Sequence, residues 1–151
     1  MSKSGNILWQ EGMELLKNKK FQSSLEKFTS ALKFYEEDGD EMGISSCYLG
    51  LGLVNTSIGN FKKALTYLNK GHSIAKKINF KPGIASFLMN KGLLFQKLKK
   101  YDDALRDFEK SLQIFEELNN NESVRNLKLF IENCKKEKSR YKNLKDPLRK
   151  N

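Results

Sequence analysis

The sequence predicts an all-α fold, a solenoid of three helix-turn-helix repeats followed by a capping helix. Apolar residues recur at intervals of three and four, as on one face of a helix, and they do not alternate as in a strand. One pattern of aromatic, small and apolar residues returns after 40 residues and again after another 40. Short turn-forming segments separate the helical stretches.

The repeat is clearest in the stretches 21–32, 61–72 and 101–112. Each begins with an aromatic residue, followed by a small residue, a leucine and a large apolar residue at the same offsets. The aligned positions are Phe21, Phe61 and Tyr101, then Ser24, Ala64 and Ala104, then Leu25, Leu65 and Leu105, then Phe28, Leu68 and Phe108. Because one helical hairpin cannot bury its own apolar face, such units are expected to stack and share a core.

Each repeat is predicted to contain two helices, and the three repeats span about residues 5–40, 41–80 and 81–120. A glycine marks the first helix of each repeat (Gly12, Gly52 and Gly92), and Asp40 and Asn121 are candidate N-caps. The same 40-residue shift aligns residues 122–143 with a first helix. We expect these residues to form the capping helix of a single domain, residues 1–143, and residues 144–151 to form a basic, flexible tail.

The net charge of +10 is unevenly distributed. Residues 135–151 carry eight Lys/Arg and two Asp/Glu, a net +6, whereas residues 1–134 are close to balanced at +4. No apolar run approaches the ~20 residues that span a bilayer, and the first residues contain no apolar segment typical of a signal peptide. The two cysteines provide no disulfide framework. These features favour a cytoplasmic protein.

The candidate catalytic residue types are better explained as packing or surface residues. His72 aligns with Leu32 and Leu112, which predicts a partly buried histidine. Cys47 and Cys134 align with apolar residues and are expected to be small core side chains. The acids of residues 101–109, Asp102, Asp103 and Asp107, are expected to face water, and the acidic turn after Tyr35 lacks calcium-loop spacing. We expect no catalytic residue, no metal site, no cofactor and no small-molecule substrate.

The repeat resembles the tetratricopeptide repeat. The family pattern places a glycine in the first helix, then an aromatic residue and small, large and small residues in the second; Gly52, Phe61, Ala64, Leu68 and Gly71 fit it. The resemblance covers residues 5 to about 140, although the common unit has about 34 residues and this one has 40. It implies a right-handed solenoid whose first helices line a concave groove that binds a segment of another protein.

Carried over residue by residue, the resemblance implies a peptide-binding site that we call the binding face. Its apolar members lie three residues before and one residue after each glycine, and polar residues lie around them. The apolar members are Trp9, Met13, Leu49, Leu53, Met89 and Leu93. The polar members are Gln10, Lys17, Thr56, Asn90, Gln96 and Lys97. These residues do not match the Lys, Asn and Arg clamp with which some family members hold chaperone tails.

The resemblance therefore implies a non-enzymatic adaptor that binds a peptide or an amphipathic helix of a partner protein. One alternative is a self-associating scaffold, a homo-oligomer whose groove is filled by its own last helix or by another copy of the chain. Another is contact of the basic tail with RNA or an anionic membrane. The basic residues 135–151 include only one aromatic residue, Tyr141, for stacking on bases, and a solvated helix end explains their charge more simply, so contact with nucleic acid or a membrane is disfavoured.

Overall fold

The computed structural model describes residues 3–146 and 148, and within them the chain forms seven α-helices and no strand. The helices are α1 (Lys3–Lys17), α2 (Phe21–Asp38), α3 (Glu41–Ser57), α4 (Phe61–Lys77), α5 (Lys81–Lys97), α6 (Tyr101–Glu117) and α7 (Asn121–Lys145). Consecutive helices pack in pairs, α1 on α2, α3 on α4 and α6 on α7. The predicted fold class, an all-α helical-repeat solenoid, is confirmed.

Three-residue turns at the same repeat position separate most of the helices. Each of the five three-residue turns contains one residue with a left-handed backbone conformation, and Gly39 has the same conformation in the shorter turn after α2. These residues recur at intervals of 40 residues. The six residues are Lys19, Gly59 and Lys99 within the repeats and Gly39, Asn79 and Asn119 between them. The side chain of Asp40 accepts a hydrogen bond from the Gly43 N–H at 3.0 Å, so Asp40 is the N-cap of α3, as predicted. The N-cap of α7 is Asn120 rather than Asn121, because Asn120 Oδ1 accepts from the Ser123 N–H at 3.0 Å.

The chain divides into two compact units, residues 1–87 and residues 88–151. The core of the first unit contains the cluster Phe28, Leu51 and Val54 and a second cluster, Ala31, Tyr35 and Cys47. In the second unit, Leu94, Phe108, Leu127 and Cys134 are fully buried. Apart from Leu51 and Tyr35, these residues occupy positions that the repeat alignment assigned to packing.

The aligned glycines of the three first helices, which we call the glycine column, allow close contact between the two helices of a repeat. A Cβ at Gly12 would lie 2.9 Å from Phe28 Cε1, one at Gly52 2.6 Å from Leu68 Cδ2, and one at Gly92 2.6 Å from Phe108 Cδ1. The large apolar column of the second helix therefore packs directly on the glycine column of the first. In the first repeat, Ser24 Oγ also donates to Gly12 O at 2.7 Å. Both columns are structural.

Helix α7 runs two residues beyond the expected end of the capping helix, to Lys145. Lys128 aligns with apolar residues and Glu132 aligns with glycine in the three earlier repeats, and both are exposed. A polar outer side of this kind keeps the last helix of a repeat array in contact with water. The predicted tail falls partly on Pro147, Arg149, Lys150 and Asn151, which lie outside the described residues. No helix in the described part of the chain is long and apolar enough to cross a membrane.

Candidate functional site

The apolar members of the binding face in the first unit lie on α1 and α3 and are half-buried. Trp9 and Met13 pack against the cluster Phe28, Leu51 and Val54. Trp9 Nε1 donates a hydrogen bond to Ser46 O at 3.2 Å, which fixes the indole between the two first helices. Leu49 and Leu53 on α3 are also half-buried. These side chains thus combine packing with a partly exposed surface.

A small cavity of about 120 Å³ borders Leu49. Its lining is largely apolar, with three serines. The lining residues are Ser45, Ser46, Leu49, Phe80, Pro82, Gly83, Ser86 and Phe87. A cavity of this size accommodates a small apolar side chain rather than a whole ligand.

The polar members in the first unit form an exposed rim. Gln10 and Lys17 are exposed, and Thr56 is half-buried. Thr56 Oγ1 donates to Gly52 O in its own helix at 2.9 Å. Its proton is therefore committed internally, and the hydroxyl can only accept a hydrogen bond from a ligand.

In the second unit, Met89, Asn90, Leu93 and Gln96 are half-buried on α5, and Lys97 is exposed. Three of these predicted residues come together in a cavity of about 240 Å³ between α5 and α7. The lining residues are Leu93, Gln96, Lys97, Phe130, Asn133 and Glu137. Helix α7 forms a wall of this cavity and does not fill it. Met89 and Asn90 are not among the lining residues.

Gln96 gives this cavity a specific chemical character. Its Oε1 is buried and has no hydrogen-bond partner among the described residues. A buried acceptor that is left unpaired costs about 1–3 kcal/mol, so it favours a ligand that brings an N–H or O–H donor. Leu93 and Phe130 provide apolar surface in the same cavity, and Glu137 provides a carboxylate. The cavity suits a side chain or backbone segment with an apolar part and a donor.

The contribution of α7 to this cavity was not predicted from the sequence, where α7 was expected to form a cap or, in one alternative, to fill the groove. The 40-residue shift contained the signal. It places Asn133 in the column of Met13, Leu53 and Leu93, and Glu137 in the column of Lys17 and Lys97. Phe130 falls in the column of Gln10 and Asn90. Applying the shift to a fourth first helix would have found all three residues.

The two cysteines are fully buried. Burial, together with the charges of Glu36 and Asp40, raises the pKa of the Cys47 thiol to about 12. Burial also raises the pKa of the Cys134 thiol. A nucleophilic cysteine requires the opposite shift. His72 stacks on Phe87 with ring centroids 6.1 Å apart, and the described residues contain no cluster of metal-ligating side chains.

Asp107 corrects one expectation. It was expected to face water with Asp102 and Asp103, but it is only 4% exposed. Burial raises its pKa, which the charges of Lys91, Arg106 and Lys110 partly oppose. Arg106 Nε lies 3.6 Å from Asp107 Oδ1, while Oδ2 has no hydrogen-bond partner among the described residues. The expectation was wrong because Asp107 was grouped with the neighbouring acids Asp102 and Asp103, whereas its position on α6 is buried.

Comparisons with known proteins support the repeat fold. Residues 85–118 match the family model described as tetratricopeptide repeat. No curated protein matches the chain. Aspartyl phosphate phosphatase F from Bacillus subtilis superposes with a TM-score of 0.85 at 16% identity, over 95% of this chain and 38% of that one. BtubC (BKLC) from P. vanneervenii superposes with a TM-score of 0.65 at 17% identity, over 93% of this chain and 63% of that one.

At these identities the likeness concerns the fold alone. The phosphatase name belongs to the Bacillus subtilis protein, and this chain spans 38% of that protein's length. It also spans less than two thirds of the second protein. The binding chemistry must therefore be argued from this chain's own residues.

Proposed function

Because residues 85–118 match the tetratricopeptide repeat model, we propose that the chain is a non-enzymatic adaptor that binds a peptide or a helical segment of a partner protein. The binding face on the first helices makes the contact, mainly through apolar side chains. Repeats of this family form protein-interaction modules, which supports the coarse role. The cavity between α5 and α7 is the observation that carries the finer proposal.

That cavity has two properties of a recognition site. It provides apolar surface from Leu93 and Phe130 beside an acceptor, Gln96 Oε1, that the described residues leave unpaired. Ligand sites combine apolar contact area with a few polar groups that fix orientation. A peptide satisfies both requirements, since its backbone N–H groups are donors and its side chains supply apolar surface.

The contacts in the first unit support the same proposal on their own. Trp9, held by its hydrogen bond to Ser46 O, presents a rigid aromatic surface, and aromatic residues are enriched where binding energy concentrates. Leu49 and Leu53 lie four residues apart on one side of α3. Because both leucines are already half-buried, covering the rest of each side chain contributes about half of the ~1.5–3 kcal/mol that full burial gives, before the cost of association.

Peptide selection tests the proposal. A random peptide library is displayed and selected on the wild-type chain, and the selected peptides are then titrated against variants. In the double variant Leu49→Glu/Leu53→Glu we expect at least about a hundredfold loss of affinity, because two charged groups would replace two apolar contacts. Circular dichroism should show unchanged helicity.

Ile58→Glu is the matched control. Ile58 is an exposed apolar residue that follows α3 and lies outside the binding face. We expect this variant to bind as the wild type does. Equal losses in the control and the double variant would contradict the proposal, and so would a selection that yields no peptide. A light-scattering mass above 17.4 kDa would instead favour the self-associating scaffold.

A further inference from the structure

Basic side chains from two segments meet at one end of the second unit. Between Lys135 and Lys145, helix α7 carries six Lys/Arg against Glu137 alone. The turn between α5 and α6 adds Lys99 and Lys100. Lys99 Nζ lies 5.6 Å from the centre of the Tyr141 ring, and Lys145 Nζ lies 4.6 Å from it. We call residues 99–100 together with residues 135–146 and 148 the basic end; Asp146 is its second carboxylate.

Most of these basic side chains have no ion-pair partner among the described residues. Lys138 pairs with Asp102 at 2.5 Å, and Lys136 pairs with Glu132 at 2.9 Å. The remaining basic residues form no ion pair within the described part of the chain. They are Lys99, Lys100, Lys135, Arg140, Lys142 and Lys145. A hydrogen bond from Lys145 and the charges of Lys145 and Lys99 lower the pKa of the Tyr141 hydroxyl, which reflects the positive field at this end.

Two leucines stand exposed among these charges. Leu144 is 73% exposed and Leu148 is 91% exposed, more than any other large apolar side chain in the described part of the chain. They are four residues apart, and Lys142 and Lys145 flank Leu144. Transfer of these exposed leucine side chains from water to an apolar environment would be favourable.

We propose that the basic end docks on an anionic lipid membrane. Lysines attract acidic headgroups, while Leu144 and Leu148 insert at the boundary between headgroups and acyl chains. The charge pattern of the tail alone disfavoured this contact. The structure adds the lysines of the α5–α6 turn beside Tyr141 and shows how far the two leucines are exposed.

The same observations disfavour other anionic partners. Binding of single-stranded nucleic acid is strengthened when bases stack on aromatic rings. The ring of Tyr141 is already covered by Lys99 and Lys145. The exposed leucines would make no favourable contact with phosphate groups. An acidic protein segment would enter the neighbouring cavity of about 370 Å³. Asp102 and Asp103 line that cavity beside four lysines and offset half of their charge, so a carboxylate gains less there than at the exposed lysines outside it. A lipid surface uses the charge and the leucines together.

Vesicle co-sedimentation tests the proposal with the full chain. The probes are phosphatidylcholine vesicles with roughly one third phosphatidylserine, and phosphatidylcholine vesicles alone. We expect salt-sensitive binding to the first and none to the second. Lys142→Gln/Lys145→Gln should weaken binding by tenfold or more, at about fivefold for each charge. Leu144→Ser/Leu148→Ser should weaken it by about tenfold at unchanged net charge.

Two matched controls make the outcome decisive. Lys62→Gln/Lys63→Gln removes the same charge from the exposed start of α4, and Ile7→Ser removes an exposed apolar residue of α1. Both should bind vesicles as the wild type does. Equal loss in the two lysine variants, unchanged binding in the leucine variant, or tighter binding to single-stranded RNA than to the vesicles would overturn the proposal. Peptide binding in these variants reports on the proposed adaptor function separately.

Discussion

Glu11 Oε2 lies 2.6 Å from Lys27 Nζ, and this ion pair joins the two helices of the first repeat. The same two columns carry Lys91 and Asp107 in the third repeat, where the charge of Lys91 acts on the Asp107 carboxyl. The signs are exchanged, and in the second repeat the columns carry Leu51 and Tyr67. One contact position therefore accepts three chemically different pairs.

The first prediction concerns Asp107 and pH. Because burial raises the pKa of Asp107 in the folded chain, this carboxyl holds its proton more tightly in the folded state than in the unfolded state. The ionised group therefore destabilises the fold as pH rises from about 4, the ordinary aspartate value, through the raised value. Asp107→Asn should be more stable than the wild type at neutral pH; the difference should shrink as the pH falls from the raised value toward about 4 and should be absent below it.

Urea unfolding at several pH values measures this difference. Asp103→Asn on the same helix is the control, since Asp103 is half-exposed and pairs with Arg106 at 3.0 Å; we expect it to lack the gain. A neutral-pH loss of stability in Asp107→Asn would show that Lys91 and Arg106 compensate the burial fully.

The second prediction concerns the glycine column. In Gly92→Ala the new methyl group would lie 2.6 Å from Phe108 Cδ1, so the ring must move. We expect a loss of about 1–3 kcal/mol in the free energy of unfolding. Combining it with Phe108→Leu in a double-mutant cycle should reveal a coupling energy above about 0.5 kcal/mol.

Gly39→Ala separates crowding from backbone conformation. A Cβ at Gly39 meets nothing within 4 Å, but the residue has φ +67°. Its cost should be about 1 kcal/mol and should not depend on Phe108. Additive effects of Gly92→Ala and Phe108→Leu would contradict the proposed contact.

The repeat alignment predicted these packing contacts well and the polar contacts poorly. The glycine and aromatic columns could be predicted because the equivalent helix–helix contact in every repeat requires side chains of similar size. Asp107 could not be placed by its own character, since an acid between exposed acids looks like a surface residue. The charge of Lys91 in another helix acts on Asp107, and comparison of both aligned positions reveals the pair. The cavity beside Gln96 depends in the same way on Phe130 and Asn133 of α7.

The third prediction concerns the thiols. With a pKa of about 12 for Cys47 and a raised pKa for buried Cys134, the thiolate fraction at pH 8 is very small. We expect iodoacetamide to leave both cysteines unmodified in the folded chain and to modify both in denaturant, as measured by intact mass. Rapid modification of either thiol in the native state would require an opening that the structure does not contain.

The fourth prediction separates stability from binding at Gln96. Its unpaired Oε1 costs free energy in the folded chain without a ligand, so Gln96→Leu should raise the free energy of unfolding by about 1 kcal/mol. The same change removes the acceptor that we assign to the ligand, and selected peptides should bind at least about tenfold more weakly. Gln113→Leu, at an exposed position on α6, is the control and should change neither the stability nor the affinity. Because stability and affinity are expected to move in opposite directions, a variant that loses both would identify Gln96 as a packing residue and not as part of the binding face.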